Sequence, residues 1–328
     1  MPGYFQMPLI SASDYKPWGL FKNAHIQTIY PPLFRKVRNV NYIRERISTP
    51  DHDFIDLDWS RIDGDKAVIV LHGLEGHSQR SYVLGMIRAL NSRGWDAVAF
   101  NFRGCSGQPN RLLRSYHCGA TEDLHTVVNH VIDHYRYACI SLVGFSVGGN
   151  LTLMYLGEKK YTISPLIKCA AAVSVPCDLE SSADKLAAPS NILYMKRFLK
   201  MFHDKIRVKM RMMPDEIDDA DYHLIRTFKD FDERYTAPIH GFSSAEDYWT
   251  QCSCKQFLPG IEIPVLLVSA RDDPFLGKEC YPVEEASNSR HLYFEMPDHG
   301  GHVGFVDFRS KGEYWHEKRI AAFVTENA

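Results

Sequence analysis

Charge of one sign is the first thing this sequence lacks. Across 328 residues, 38 Lys and Arg nearly balance 40 Asp and Glu, which leaves a formal net charge of -2. That balance gives no electrostatic basis for binding nucleic acid. Long apolar runs are missing too, since no stretch approaches the ~18 residues needed to span a bilayer. Met1 to Asp14 has neither a basic leader region nor a continuous apolar stretch, so no signal peptide is evident. The eight cysteines include no CxxC pair, and the closest two are Cys252 and Cys254. Several, Cys139 and Cys169 among them, lie in apolar runs and read as reduced core thiols rather than a disulfide frame or zinc site. Internal repeats and low-complexity linkers are also lacking. The expectation is a soluble, cytoplasmic protein with no metal and no organic cofactor.

What is present is ordinary for a globular chain: 45% hydrophobic and 24% charged residues. Residues 1–50, rich in aromatic, Pro and basic side chains, read as an irregular arm packed on the core, and 51–328 as one α/β domain. Strands are expected at Tyr42 to Ser48, Phe54 to Ile62, Ala67 to Leu71, Ala97 to Phe102, Cys139 to Phe145, Ala170 to Val175, Pro264 to Ser269 and His291 to Met296. Helices are expected at Ser81 to Leu90, Thr121 to Tyr135, from Val147 onward, and at about Glu313 to Thr325. Strands that alternate with helices imply an eight-stranded, mainly parallel sheet covered on both faces. Ligands of such sheets sit at the carboxyl ends of the strands.

The rhythm breaks from about 177 to 253, which reads as a helical lid insertion. Within it, Asn191 to Met213 is amphipathic and carries basic residues across 196–211 together with five methionines. A Met-rich face could adapt to an acyl chain, and the basic face could touch anionic headgroups peripherally. Stable membrane insertion is not expected.

The chemistry centres on Cys139 to Tyr155. Gly144-Phe145-Ser146-Val147-Gly148 fits Gly-x-Ser-x-Gly at a strand-to-helix turn. Such a turn lifts the serine hydroxyl out of the sheet, and glycines two residues away on either side remove the Cβ atoms that would clash. The helix start that follows offers free N–H groups to a developing negative charge. A serine needs a base, and the base needs an acid to fix its tautomer. In the α/β-hydrolase order these follow as Ser, Asp or Glu, His, each after a strand.

For the acid, Asp272 and Asp273 compete. Asp273 precedes Pro274-Phe275-Leu276 as the acid at this place commonly does, and Asp272 reads better as a turn residue. For the base, His299 and His302 compete. Gly300, Gly301 and Gly304 around His302 let the backbone approach closely, which favours His302. The backbone N–H groups of Leu74 and Val147 are the expected oxyanion donors. His72 reads as structural.

Several motifs together resemble the AB-hydrolase superfamily and, within it, the YheT-like branch of esterases. They are Pro17 to Tyr30 (P-W-G-L-F-K-N-A-H-I-Q-T-I-Y), Leu71 to Gly76 (L-H-G-L-E-G), Asn101 to Gly107 (N-F-R-G-C-S-G) and Gly144 to Asn150. Phe231 to Phe242 and Gly300 to Phe305 complete the set. The resemblance implies the α/β-hydrolase fold, a Ser146–Asp273–His302 charge relay and hydrolysis of a small carboxylic ester or lipid through an acyl-enzyme. A thioesterase or acyltransferase would use the same residues, and a catalytically silent ligand-binding member of the fold is the alternative from another class.

Overall fold

In the computed structural model, which describes residues 9–10, 12–309 and 312–328, the chain is built around a single sheet. Its strands are β1 (Leu9–Ile10), β2 (Ile43–Ser48), β3 (Phe54–Ser60), β4 (Lys66–Leu71), β5 (Trp95–Asn101), β6 (Cys139–Phe145), β7 (Ile167–Val173), β8 (Val265–Val268) and β9 (Leu292–Glu295). Their spatial order is β1-β9-β8-β7-β6-β4-β5-β3-β2. Neighbours run parallel except in the two pairs made by β3. The described sheet therefore has nine strands and not the eight expected. The extra one, β1, lies parallel to β9 and is two residues long, too short for any periodicity to reveal.

Alternation along the central strands explains the layering. In β4, Ala67, Ile69 and Leu71 face a core shared with α3 (Thr121–His134) and α4 (Val147–Gly157). Val68 and Val70 face the opposite core, shared with α2 (Ser81–Asn91) and α11 (Trp315–Glu326). A strand covered on both sides has no polar face, hence its unbroken apolar run. Nearer the edge, β3 does alternate. Ile55, Leu57 and Trp59 enter the core, while Asp56 and Asp58 take Arg46 and Arg44 of β2 at 2.7 and 2.8 Å.

The arm departs from the expected irregular path. A 3-10 turn (Gly19–Lys22) leads into α1 (Ala24–Phe34), and the Asn23 side chain caps it by accepting from the N–H groups of His25 and Ile26. Pro31 and Pro32 sit inside the helix near its end and bring no N–H, so the carbonyls of Gln27 and Thr28 lose their helical donors. Read from sequence, the proline pair masked the helix.

Between β7 and β8 the chain inserts α5 (Leu179–Ala187), α6 (Ile192–Met212), α7 (Phe228–Phe231), a π-helical turn (Asp232–Thr236), α8 (Ala237–His240) and α9 (Ala245–Cys252). α10 (Val283–Asn288) follows β8. The insertion has its own apolar cluster, in which Met195, Leu199, Ile206, Tyr222 and Tyr235 meet Phe275 from the sheet side.

The basic character of α6 is partly spent inside the protein. The Lys205 ammonium lies 2.8 Å from Glu75, Lys209 donates to the carbonyls of Asn110 and Leu112, and Lys200 and Arg207 pair with Asp204 and Asp219. All eight cysteines are buried free thiols. Among the described residues, no helix is long and apolar enough to cross a membrane.

Candidate active site

Ser146 stands between β6 and α4 with φ 53° and ψ -120°, a conformation that L-residues avoid. The geometry of the two flanking glycines explains why the chain accepts that strain. A Cβ on Gly144 would lie 2.3 Å from the Gly148 carbonyl oxygen, and one on Gly148 would lie 2.5 Å from the His72 carbonyl oxygen. Only glycine lets β6, α4 and the end of β4 close so tightly. Ser146 N–H donates to Val173 O at 2.8 Å, which anchors the turn to the neighbouring strand.

The His302 ring lies across the mouth of this turn. Its Nε2 is 3.0 Å from Ser146 Oγ, and its Nδ1 is 2.9 and 3.1 Å from the two oxygens of Asp273. Asp273 is fully buried at its side chain, and a carboxylate there can only accept, so Nδ1 carries the proton. Nε2 is then left with its lone pair towards the serine hydroxyl. Asp273 Oδ1 also accepts from Phe275 N–H, and the Phe275 ring lies 4.3 Å from that of His302.

Asp272 does more than the turn role expected of it. It holds His299 Nδ1 at 3.1 Å and accepts from Gly301 N–H at 2.9 Å, so Asp272 and His299 form a second pair that braces the His302 loop. Burial raises the Asp272 carboxyl above its usual range, against the lowering effect of Gly301 and His299.

Two of the glycines near His302, Gly301 and Gly304, serve another contact than the one expected. They make room for α1: a Cβ on Gly301 would meet Ala24 O at 2.4 Å, and one on Gly304 would meet Gln27 O at 2.5 Å. Thr28 Oγ1 accepts from His302 N–H at 2.9 Å. Fully buried Gln27 accepts from Val306 N–H and donates to the Tyr15 hydroxyl and to Phe21 O. These arm contacts were not read from the sequence. Asn-Ala-His-Ile-Gln-Thr was visible only as a family motif, and nothing local in it shows a partner some 270 positions away.

The loop after β4 covers the other side of Ser146. A Cβ on Gly73 would lie 3.1 Å from Ser146 Cβ. The N–H groups around Leu74 are taken: Gly73 donates to the Tyr82 hydroxyl, Glu75 to the Tyr116 hydroxyl and Gly76 to Gly73 O. The N–H groups of Leu74 and Val147 have no partner among the described residues. His72 sits behind this loop. Its Nε2 accepts from Phe102 N–H at 3.1 Å, so its Nδ1 donates to Gly73 O at 2.8 Å, and burial pushes its pKa down to about 3.

Ser146, His302, Leu74 and Val147 all line one cavity of about 820 Å³. Its far wall comes from the insertion, mainly Leu186, Phe198, Phe202 and Phe228. Met201 also lines it, but Met195 and Met210 pack inside the insertion, so the wall of α6 is aromatic rather than Met-rich.

A family profile described as the alpha/beta hydrolase fold matches residues 66–308. The Escherichia coli K12 protein named "Putative esterase YheT" is 33% identical over 322 residues, covering 96% of this chain and 94% of the relative. Bovine "Phospholipase ABHD3" is 32% identical over 293 residues, 86% of this chain and 70% of its own. Among solved structures, an esterase of Pyrococcus furiosus superposes with a TM-score of 0.60 at 18% identity, over 88% of this chain and 91% of that one. By fold, by profile and by likeness along nearly its whole length, the chain belongs to the alpha/beta hydrolase family and, within it, to the branch of YheT.

Proposed function

We propose that this protein is a serine hydrolase of carboxylic esters, acting through an acyl-enzyme on short- to medium-chain acyl esters or lipids. The observation that carries the reading is the unbroken chain Ser146 Oγ–His302 Nε2, His302 Nδ1–Asp273, opening into an apolar cavity. Ser146 attacks the ester carbonyl while His302 takes its proton as general base. Negative charge grows on the carbonyl oxygen, and the free N–H groups of Leu74 and Val147 receive it; removing one such donor elsewhere costs about 3 kcal/mol. His302 then hands the proton to the departing alcohol, leaving the acyl group on Ser146. Water, activated by the same imidazole, releases the acid. Asp273 holds the tautomer and orientation of His302 and stabilises its charged form. Relatives named as esterase and phospholipase support an ester as the substrate, and the aromatic wall of the cavity suits an acyl chain.

The test is hydrolysis of p-nitrophenyl esters from acetate to palmitate by the wild type and by Ser146→Ala, alongside labelling by a fluorophosphonate probe. Activity and labelling should both vanish in the variant, and the chain-length optimum should report the depth of the cavity. A wild type that neither hydrolyses any ester of the series nor takes the probe overturns the proposal and leaves a ligand-binding member of the fold.

A further inference from the structure

Large hydrophobic side chains left in water are not scattered evenly over this protein. Among the described residues, more than half of them fall in two short stretches, 18–34 and 192–193. Trp18 and Leu20, on the turn before α1, are 78% and 73% exposed, and Leu193, on the first turn of α6, is 77% exposed. Ile29, Leu33 and Phe34 of α1 are exposed as well. The two stretches are neighbours, for His25 of α1 bonds to the Tyr194 hydroxyl and stacks on its ring. Three of these side chains, Ile29, Leu33 and Leu193, also line the cavity that holds Ser146. Through these three, the exposed apolar side chains reach the rim of the cavity.

Charge on these stretches has one sign. From Tyr15 to Arg44 the chain carries Lys16, Lys22, Arg35, Lys36, Arg38 and Arg44 and not one Asp or Glu, and Lys185 to His203 is likewise free of acids. Arg35 and Arg44 are spent on Glu317 and Asp58, but Lys16, Lys22, Lys36 and Arg38 are without an acidic partner among the described residues. On a protein of net charge -2, a region that combines exposed Trp and Leu with unopposed Lys and Arg is a local departure and not a general property. Exposed apolar side chains framed by cations suit the boundary between headgroups and acyl chains of an anionic bilayer. A bilayer of negative sign offers both halves of this match, anionic headgroups for the Lys and Arg and acyl chains for the Trp and Leu.

We propose that residues 16–22, α1 and the first turn of α6 form a face that docks on anionic lipid bilayers and lays the cavity rim against the membrane. The face lies upstream of the basic stretch 196–211 that sequence suggested, because Lys205 and Lys209 of that stretch point inward. Docking is independent of the hydrolytic reading and can be measured with Ser146→Ala protein, so failure of one does not imply failure of the other.

Trp18 makes the experiment direct. The other four tryptophans, Trp59, Trp95, Trp249 and Trp315, are buried, so a change in the emission of exposed tryptophan comes from position 18. Ser146→Ala protein is mixed with phosphatidylcholine vesicles with and without phosphatidylglycerol, at low and high salt, and followed by co-sedimentation and tryptophan emission. Binding should require the anionic lipid, weaken at high salt and move the emission to the blue. Trp18→Ser with Leu20→Ser should lower partitioning by at least about tenfold, and Lys16→Glu with Lys22→Glu by a similar factor. In the Ser146 background, neither pair should alter hydrolysis of a water-soluble acetate ester. Absence of binding to anionic vesicles at low salt overturns the proposal, as does binding that both double variants retain in full. Concentration-dependent self-association that Trp18→Ser with Leu20→Ser abolishes, without vesicle binding by the parent, assigns the face to a second copy and overturns it too.

Discussion

The loop after β4 and the loop after β9 both lie against Ser146, and His72 of the first and His302 of the second are wired for opposite tasks. Both nitrogens of His72 end on backbone groups, one donating to Gly73 O and the other accepting from Phe102 N–H. An amide does not give up its proton at ordinary pH, so this ring can only hold the loop still. His302 ends instead on a carboxylate and on a hydroxyl, and the hydroxyl proton is one it can take. The supports differ as well. Tyr82, Tyr116 and the Glu75–Lys205 ion pair secure the first loop from within the domain and the insertion. The second leans on the arm, through Thr28 and Gln27. Residue type does not decide the role of a histidine here; the chemistry at the far end of its Nε2 does.

The sharpest way to break this comparison is to remove each ring in turn. We predict that His302→Gln lowers kcat on a p-nitrophenyl ester by about ten-thousand-fold or more, with little change in the thermal midpoint. His72→Asn should keep most of the chemistry and lose stability, and an equal collapse of kcat in both variants would show that the rings share one role. A smaller effect tests the support of the His302 loop. Thr28→Val removes the acceptor of His302 N–H while keeping the shape, and the loss of a hydrogen bond worth about 1 kcal/mol should lower kcat roughly fivefold. KM should hold, and Thr28→Ser should restore the rate. A variant that melts earlier but turns over at the wild-type rate would reduce the arm to packing.

The two loops were also unequally legible. Gly-x-Ser-x-Gly, the order of Ser146, Asp273 and His302, and the strands before them are local patterns set by short-range sterics and alternation, so sequence carries them. Leu74 could be named because its loop follows the first central strand. The support of the His302 loop could not be read. Thr28 and Gln27 act through single polar contacts across some 270 positions, and the helix that carries them hid behind Pro31 and Pro32. β1 went unseen because two residues have no period. In α6, seven basic residues looked like one face, but the inward pairing of half-buried Lys205 and buried Lys209 depends on where Glu75, Asn110 and Leu112 lie in space. Pairing between distant elements decides what a charge on a helix does, and sequence spacing alone is blind to it.

The finest test of the difference between the histidines uses acid rather than turnover. Burial holds the His72 pKa down to about 3, whereas in the unfolded chain it returns to about 6.5. Between those values the unfolded state binds a proton that the folded state refuses, so stability is intact above about pH 6.5 and falls as pH drops through that window. One such group gives a slope of at most about 1.4 kcal/mol per pH unit. His316, fully buried among Phe145 and Phe305 with its pKa likewise near 3, supplies a second slope of the same sign. Urea unfolding of wild type and His72→Asn across this window separates the contribution of His72. The variant starts lower at neutral pH because the bonds to Gly73 and Phe102 are broken, but its stability should decline less steeply, by about one proton's worth of slope. The level reports packing and the slope reports protonation, so the two effects do not mix. Parallel lines would mean that His72 exchanges protons with water as freely when folded as when unfolded, and the contrast with His302 would then have to rest on geometry alone.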